Sequence, residues 1–182
     1  MSDKLIFDEE SLSRTLKRLA HEIIERNAKL EEIVLLGIRT GGVYLASRLQ
    51  KLILEISGLT LPIGILDITL YRDDLGAGTN QPEVRGTEID FDINNKIVVL
   101  VDDVLFTGRS IRSAIDQVID FGRPKSIQLA VLVDRGHREL PFRPDFVGKN
   151  VPTSREEQVE VELSENGKKD KVIVRPKVDH ER

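Results

Sequence analysis

Residues 97–113 read IVVLVDDVLFTGRSIRS. Ile97, Val98, Val99, Leu100 and Val101, mostly β-branched and bounded by polar groups, have the pattern of a strand buried on both faces. Two carboxylates, Asp102 and Asp103, follow at once, then Val104, Leu105 and Phe106, then the small-residue turn Thr107, Gly108, Arg109 and Ser110. Beyond it Ile111, Ala114, Ile115, Val118 and Ile119 recur with helical period, so the turn lies at a helix N-terminus. Free backbone N–H groups and the positive end of the helix dipole favour an anion there, and two hydroxyls add donors. Carboxylates close by would repel a phosphate in the turn, unless they accept hydrogen bonds from ribose hydroxyls or face a divalent cation. A sugar 5-phosphate satisfies both halves. The plain alternative, an ordinary strand-to-helix connection, leaves the two aspartates unexplained, since burying carboxylates is costly unless something uses them. No Gly-x-x-x-x-Gly-Lys is present, which excludes a Walker A loop.

The same layout occurs earlier in the chain. Residues 33–38, IVLLGI, form a second buried strand, followed by Arg39, Thr40, Gly41 and Gly42 and by a helix carrying Val43, Leu45, Ala46 and Leu49. Two such units imply a parallel sheet with ligand at the carboxyl edges of its strands. Residues 63–71, IGILDITLY, read as a third strand; from Arg72 to Asp90 the texture changes to glycines and mixed charges without period. A loop that long in a compact domain is disordered or functional. SIQLAVLV, 126–133, is a further buried strand running into Asp134 and Arg135. Val159, Val161 and Leu163 alternate, Asn166-Gly167 turns, and Val172, Ile173 and Val174 resume, which is a hairpin signal. Near the N-terminus Asp8 is the expected N-cap of a helix over 8–26, with Phe7 and Leu12 as a hydrophobic staple. Its apolar face carries Leu12, Leu16, Leu19, Ala20 and Ile23; the opposite face carries Arg14, Lys17, Arg18 and His21, a stripe that is ordinarily a solvated face.

With 182 residues the chain is expected to form one domain, 1–182, with a flexible loop over about 72–90 and a hairpin over about 157–175. It has no cysteine, so no disulfide and no thiolate metal site. The apolar runs are too short for a membrane span, and the polar start Ser2, Asp3, Lys4 lacks a signal-peptide pattern, so a soluble cytoplasmic protein with no membrane partner is expected. A net charge of −4 argues against indiscriminate nucleic-acid binding but leaves room for a local basic patch.

The pattern of an apolar run followed by Asp-Asp-x-x-x-Thr-Gly-x-Ser resembles the phosphoribosyl diphosphate (PRPP) motif of the type I phosphoribosyltransferases, and RTGG resembles their pyrophosphate loop. The blocks HEIIERN, GIRTGGVYLASRL, LDITLYRDD, VDDVLFTGRSIRSAID and LAVLVDRGHRELPFRPDFVGKNVPTS are similar to the family of bifunctional pyrimidine-operon attenuators and uracil phosphoribosyltransferases. The resemblance implies an α/β, type I phosphoribosyltransferase fold: a central, mainly parallel twisted sheet flanked by helices, with a flexible hood loop and a C-terminal β-hairpin. It implies transfer of the phosphoribosyl group of PRPP to uracil, giving UMP and diphosphate, with Mg²⁺ acting through PRPP. It also implies a cis non-proline peptide in the pyrophosphate loop.

In that reading Val98, Val99, Leu100, Val101, Asp102, Asp103, Val104, Leu105, Phe106, Thr107, Gly108, Arg109 and Ser110 form the PRPP motif. Arg39, Thr40, Gly41 and Gly42 hold pyrophosphate; Asp102, Asp103, Arg39 and Arg72 are the catalytic set; Val133, Asp134 and Arg135 form the base pocket. Tyr71 and Arg72 contact pyrophosphate, or are an edge aromatic and a solvated arginine. Purine-salvage relatives carry a carboxylate just before the Thr-Gly; here Phe106 stands there, offering an apolar face to a smaller ring or packing in the core. The family also binds a stem-loop of pyrimidine-operon messenger RNA in response to UMP and other uridine nucleotides. That implies a basic surface from Arg14, Lys17, Arg18, His21 and Arg26 with Arg138, Arg143 and Lys149, joined if a homodimer or higher homo-oligomer brings them together. Two alternatives stay open: a nucleotide-sensing regulator of the same fold with little or no catalysis, and a phosphoribosyltransferase without an RNA role.

Overall fold

The computed structural model describes residues 3–69 and 86–177. Along the chain come Lys4–Phe7 (β1), Glu9–Arg26 (α1), Ile33–Ile38 (β2), Gly41–Ser57 (α2), Ile63–Leu66 (β3), Ile97–Leu105 (β4), Arg109–Phe121 (α3), Ser126–Asp134 (β5), Phe146–Asn150 (β6), Glu157–Glu162 (β7) and Lys171–Pro176 (β8). Successive residues of a strand point to opposite faces, so the apolar runs divide between two cores. Ile33, Leu35, Val99 and Val101 pack with the apolar stripes of α1 and α2, and Val34, Leu36, Val98 and Leu100 pack with that of α3.

β3, β2, β4, β5 and β6 lie in that order in one sheet, every neighbouring pair parallel. This is the parallel sheet flanked by helices that the sequence implied. The chain winds outward from β2 through α2 to β3, returns to β4 beside β2, and winds the other way through α3 to β5 and β6. The reversal falls between β2 and β4, and in open α/β sheets ligands bind outside the carboxyl ends of the strands at such a switch point. Gly37 stands opposite Val101, so the loops leaving β2 and β4 emerge side by side.

Several boundaries differ from the sequence reading, each for a local reason. β3 stops at Leu66, not at residue 71, because the Asp67 carboxylate accepts from Thr69 N and Oγ1 and turns the chain away from the ladder. Tyr71, Arg72 and most of the 72–90 loop lie outside the described residues. At the far end of that loop, Glu88 forms an antiparallel bridge with Ile65. β6 and β1 are strands that the sequence reading did not place, and β1 precedes the helix start. β1 pairs with β8, so the expected hairpin of β7 and β8 is two-thirds of a three-stranded antiparallel sheet ordered β1-β8-β7. Its connection is longer than an Asn-Gly hairpin turn: Ser164–Asn166 form a 3₁₀ turn closed by Gly167. Asp8 caps α1 as expected, in a capping box with Ser11. No helix among the described residues is long and apolar enough to cross a membrane.

Candidate active site at the carboxyl edge of the sheet

β4 runs four residues past the apolar stretch, so Asp102 and Asp103 belong to the strand itself. Asp103 N donates to Asp102 Oδ1 at 2.9 Å, and Val104 N donates to Asp103 Oδ1 at 2.7 Å. Asp102 is only 8% exposed. Burial, reinforced by the charge of Asp103 beside it, pushes the Asp102 carboxyl well above the usual carboxylate range. Burial also raises Asp103, against the opposing hydrogen bond from Val104. The pair is cradled by backbone, and no lysine or arginine among the described residues forms an ion pair with it.

The loop after β2 is pressed directly onto this pair. A Cβ on Gly41 would lie 2.2 Å from Asp103 Oδ2, and one on Gly42 would lie 2.2 Å from Val101 O, so only glycine permits the approach. The Arg39–Thr40 peptide is cis, as the resemblance implied. Arg39 N donates to Leu66 O at 2.9 Å, and its guanidinium donates through Nη2 to Gly86 O and Glu88 Oε1, both at 3.2 Å. Arg39 Nε is buried and finds no partner among the described residues.

After β4 the chain turns at Gly108, whose φ of 92° is in the left-handed region, and enters α3. The first-turn N–H groups of a helix have no intrahelical partner. A cavity of about 300 Å³ opens here, lined by Asp102, by Val104 to Ile111, and by Ser113 and Glu139. The buried acid and the hydroxyl-bearing turn therefore share one cavity. Glu139 pairs with Arg109 at 2.8 Å across its wall.

This arrangement matches what comparison with known proteins finds. Residues 4–166 match the family model of the phosphoribosyl transferase domain. Proteins named bifunctional protein PyrR from Alkaliphilus metalliredigens and Pelotomaculum thermopropionicum are 59% and 58% identical to the chain over 169 residues, 93% of the chain and 93% of each relative. The chain belongs to the PyrR family of phosphoribosyltransferases. A hypoxanthine-guanine phosphoribosyltransferase of Bacillus anthracis, 22% identical, superimposes with a TM-score of 0.68 over 95% of this chain and 97% of that one, and so shares the fold.

Other site residues fall differently from the expectation. Val98, Val99, Leu100 and Val101 bury their side chains in the two cores and turn none toward the cavity. Val133 likewise is buried in the core. Asp134 and Arg135 line a second cavity of about 280 Å³ with Gly136, Arg138, Asn150, Val151 and Pro152. Arg135 is 5% exposed: its Nε donates to Thr153 Oγ1 and its Nη2 to Ser154 O and Glu157 O, and its guanidinium lies 4.1 Å from the Phe106 ring centre. It braces Phe106 as well as lining that cavity. His137 meets the same ring edge-on at 5.9 Å.

The basic residues divide in the same way. Arg138 is tied to Asp134, Phe106 O and Phe142 O, inside the site region. Arg18 pairs with Glu22 and donates to Val147 O and Gly148 O, while Arg26 pairs with Asp145 and lies over Phe146. Lys149 reaches Ile6 O and the Phe7 ring. α1 thus packs on β6 within one chain, and no second copy is needed to bring Arg18 and Lys149 onto neighbouring elements. Arg14 pairs with Glu10, whereas Lys17, His21 and Arg143 stand exposed.

Three polar residues carry the root of the loop and were not singled out from sequence. Asp67 accepts from Gly86 N as well as Thr69, Thr87 Oγ1 accepts from Asp67 N, and Gln117 of α3 donates to Asp67 O. Asp67 interrupts the apolar run 63–71, the signal that could have found it; Thr87 and Gln117 carry no such signal.

Proposed function

We propose that the chain transfers the phosphoribosyl group of PRPP to uracil, giving UMP and diphosphate, and that it regulates pyrimidine-operon expression by binding a messenger stem-loop in response to uridine nucleotides. The observation that carries the catalytic half is the shared cavity: Asp102 and the Thr107–Ser110 turn line one space at the switch point of the sheet. A phosphorylated pentose fits that pairing, its phosphate on the N–H groups and hydroxyls of the turn and its ribose hydroxyls donating to Asp102 and Asp103. The bond from the ribose carbon to diphosphate breaks as the bond to the uracil nitrogen forms, and the proton on that nitrogen is released to the departing diphosphate or to solvent. Positive charge develops on the sugar, so the protein's task is to position and to stabilise charge. We assign the departing diphosphate to Arg39 and the Gly41-Gly42 backbone, pressed against Asp103, with Arg72 in the same set.

The donor set suits magnesium held mainly by substrate oxygens. The described residues contain no cluster of three or more metal-ligating acids or histidines, whereas one or two carboxylates beside substrate phosphates is the usual magnesium arrangement. Asp102 and Asp103 would face the ion, and when bound it would neutralise charge on the leaving diphosphate. Phe106, an apolar wall braced by Arg135, favours a small neutral ring over one whose handling needs a carboxylate at that place. For RNA, the support is the proximity of α1 and β6 together with the family name, and Lys17, His21, Arg143 and Lys149 are the cations we assign to that surface.

Purified protein given PRPP, Mg²⁺ and uracil should form UMP, and Asp103→Asn should lower turnover about 100-fold or more. Unchanged turnover in that variant overturns the site assignment, and PRPP binding without product favours the regulator without catalysis. Lys17→Glu should weaken binding of the leader stem-loop in the presence of UMP, with a steep salt dependence, and leave turnover near wild type.

A further inference from the structure

Among the described residues, the wall of the cavity around the turn contains a second acid besides Asp102, namely Glu139, and one cation, Arg109. Arg109 Nε donates to Glu139 Oε2 at 2.8 Å, and the two side chains are 48% and 38% exposed. An ion pair that exposed contributes little to stability, so its position in the wall of an anion site is better understood through the ligand. The backbone that bears the carboxylate is also fixed there. Glu139 N and Leu140 N both donate to Thr107 O, at 2.9 and 3.1 Å, which stitches the segment carrying Glu139 to the turn itself.

We infer that Glu139 is a resident anion of the phosphate site: it engages Arg109 while the turn holds no ligand, and an arriving phosphate must take Arg109 from it. The inference rests on the reading of the turn as a 5-phosphate site. A phosphate engages a guanidinium through more acceptor oxygens and a larger charge than a carboxylate does, so the exchange runs toward the ligand. The net affinity is reduced by the pair that is lost and by the repulsion between two anions kept in one cavity. Glu139 therefore sets the affinity for phosphorylated ligands below what the turn alone would give, which speeds release of a nucleotide product and raises the nucleotide level at which the site fills. Uracil, which has no phosphate, is indifferent to it.

The test is a calorimetric titration of wild type, Glu139→Gln, Arg109→Ala and the double variant with ribose 5-phosphate, UMP and uracil at low salt. Glu139→Gln keeps the shape and removes the charge. It should bind ribose 5-phosphate and UMP about two- to fivefold more tightly, with uracil unchanged, and the gain should fall by at least half in the Arg109→Ala background. Unchanged or weaker ribose 5-phosphate binding in Glu139→Gln, an equal gain for uracil, or a gain undiminished without Arg109 overturns the inference. Ribose 5-phosphate needs only the turn and the acidic pair. A wild-type protein that binds it and ignores UMP and uracil sinks the uracil reading, while Glu139→Gln still decides this one.

Discussion

Two pairs of carboxylates on this chain have opposite surroundings. Glu165 and Asp170, in the connection between β7 and β8, converge on Arg48 of α2, which donates to Glu165 Oε1 at 2.8 Å and Asp170 Oδ1 at 2.9 Å and also reaches Ser164. Hydrogen bonds from Arg48 lower both acids below their usual range. Asp102 and Asp103 are more deeply buried, lie side by side, and are both raised. The first pair has its cation built into the fold and clamps the small sheet onto α2. The second pair has none among the described residues, so its charge is left for something that enters the cavity. A buried acid with a partner serves structure, and one without a partner marks a ligand site.

The sharpest way to break this contrast is Asp102→Asn. Turnover should fall about 100-fold, while the unliganded protein should melt about 2–5 °C higher at neutral pH, since a disfavoured buried charge is removed. The sign follows from the raised acid. As pH climbs from the ordinary carboxylate value of 3.8, the unfolded chain ionises first and the fold loses stability, so the variant's advantage is present at neutral pH and absent near pH 3. A melting point that falls at neutral pH would show that the pair is compensated after all. Gly41→Ala comes next: a methyl group driven against Asp103 should cost about 1–3 kcal/mol and reduce turnover about tenfold or more, read by denaturant unfolding and by assay.

On the compensated side, Arg48→Ala should cost about 2 kcal/mol and leave turnover within about twofold. Here the sign reverses. Glu165 and Asp170 are lowered, so Arg48 stabilises fully above their ordinary values and loses its effect as pH falls through the lowered ones; wild type and variant should converge in urea melts as pH drops below the ordinary carboxylate range. The smallest effect belongs to Lys125→Ala, whose pair with Glu32 is at the surface: the variant's thermal midpoint should match that of wild type.

The four strands β2 to β5 and the three helices are legible along the chain because they bury continuous runs or amphipathic stripes. β1, KLIF, and β6, FVGKN, are not: four and five residues at sheet edges, burying at most two side chains each, carry no period to read. The acidic pair and both glycine turns were found because their chemistry is written in adjacent residues. The partners of Arg135 and Arg18 were not legible, because an arginine's contacts depend on the acceptors around it. For Arg135 these come from residues 153–157, and for Arg18 from residues 147–148, far away in sequence.

What the sequence determined alone was the alternation of buried strand, glycine turn and helix, and with it the class of sheet and the edge on which a ligand sits, since period and turn chemistry act within a few residues. Only the tertiary structure decided which charges are already satisfied. Whether an arginine braces a ring, clamps a sheet or waits beside a phosphate turn depends on acceptors that folding carries in from distant segments, and on the water that folding excludes.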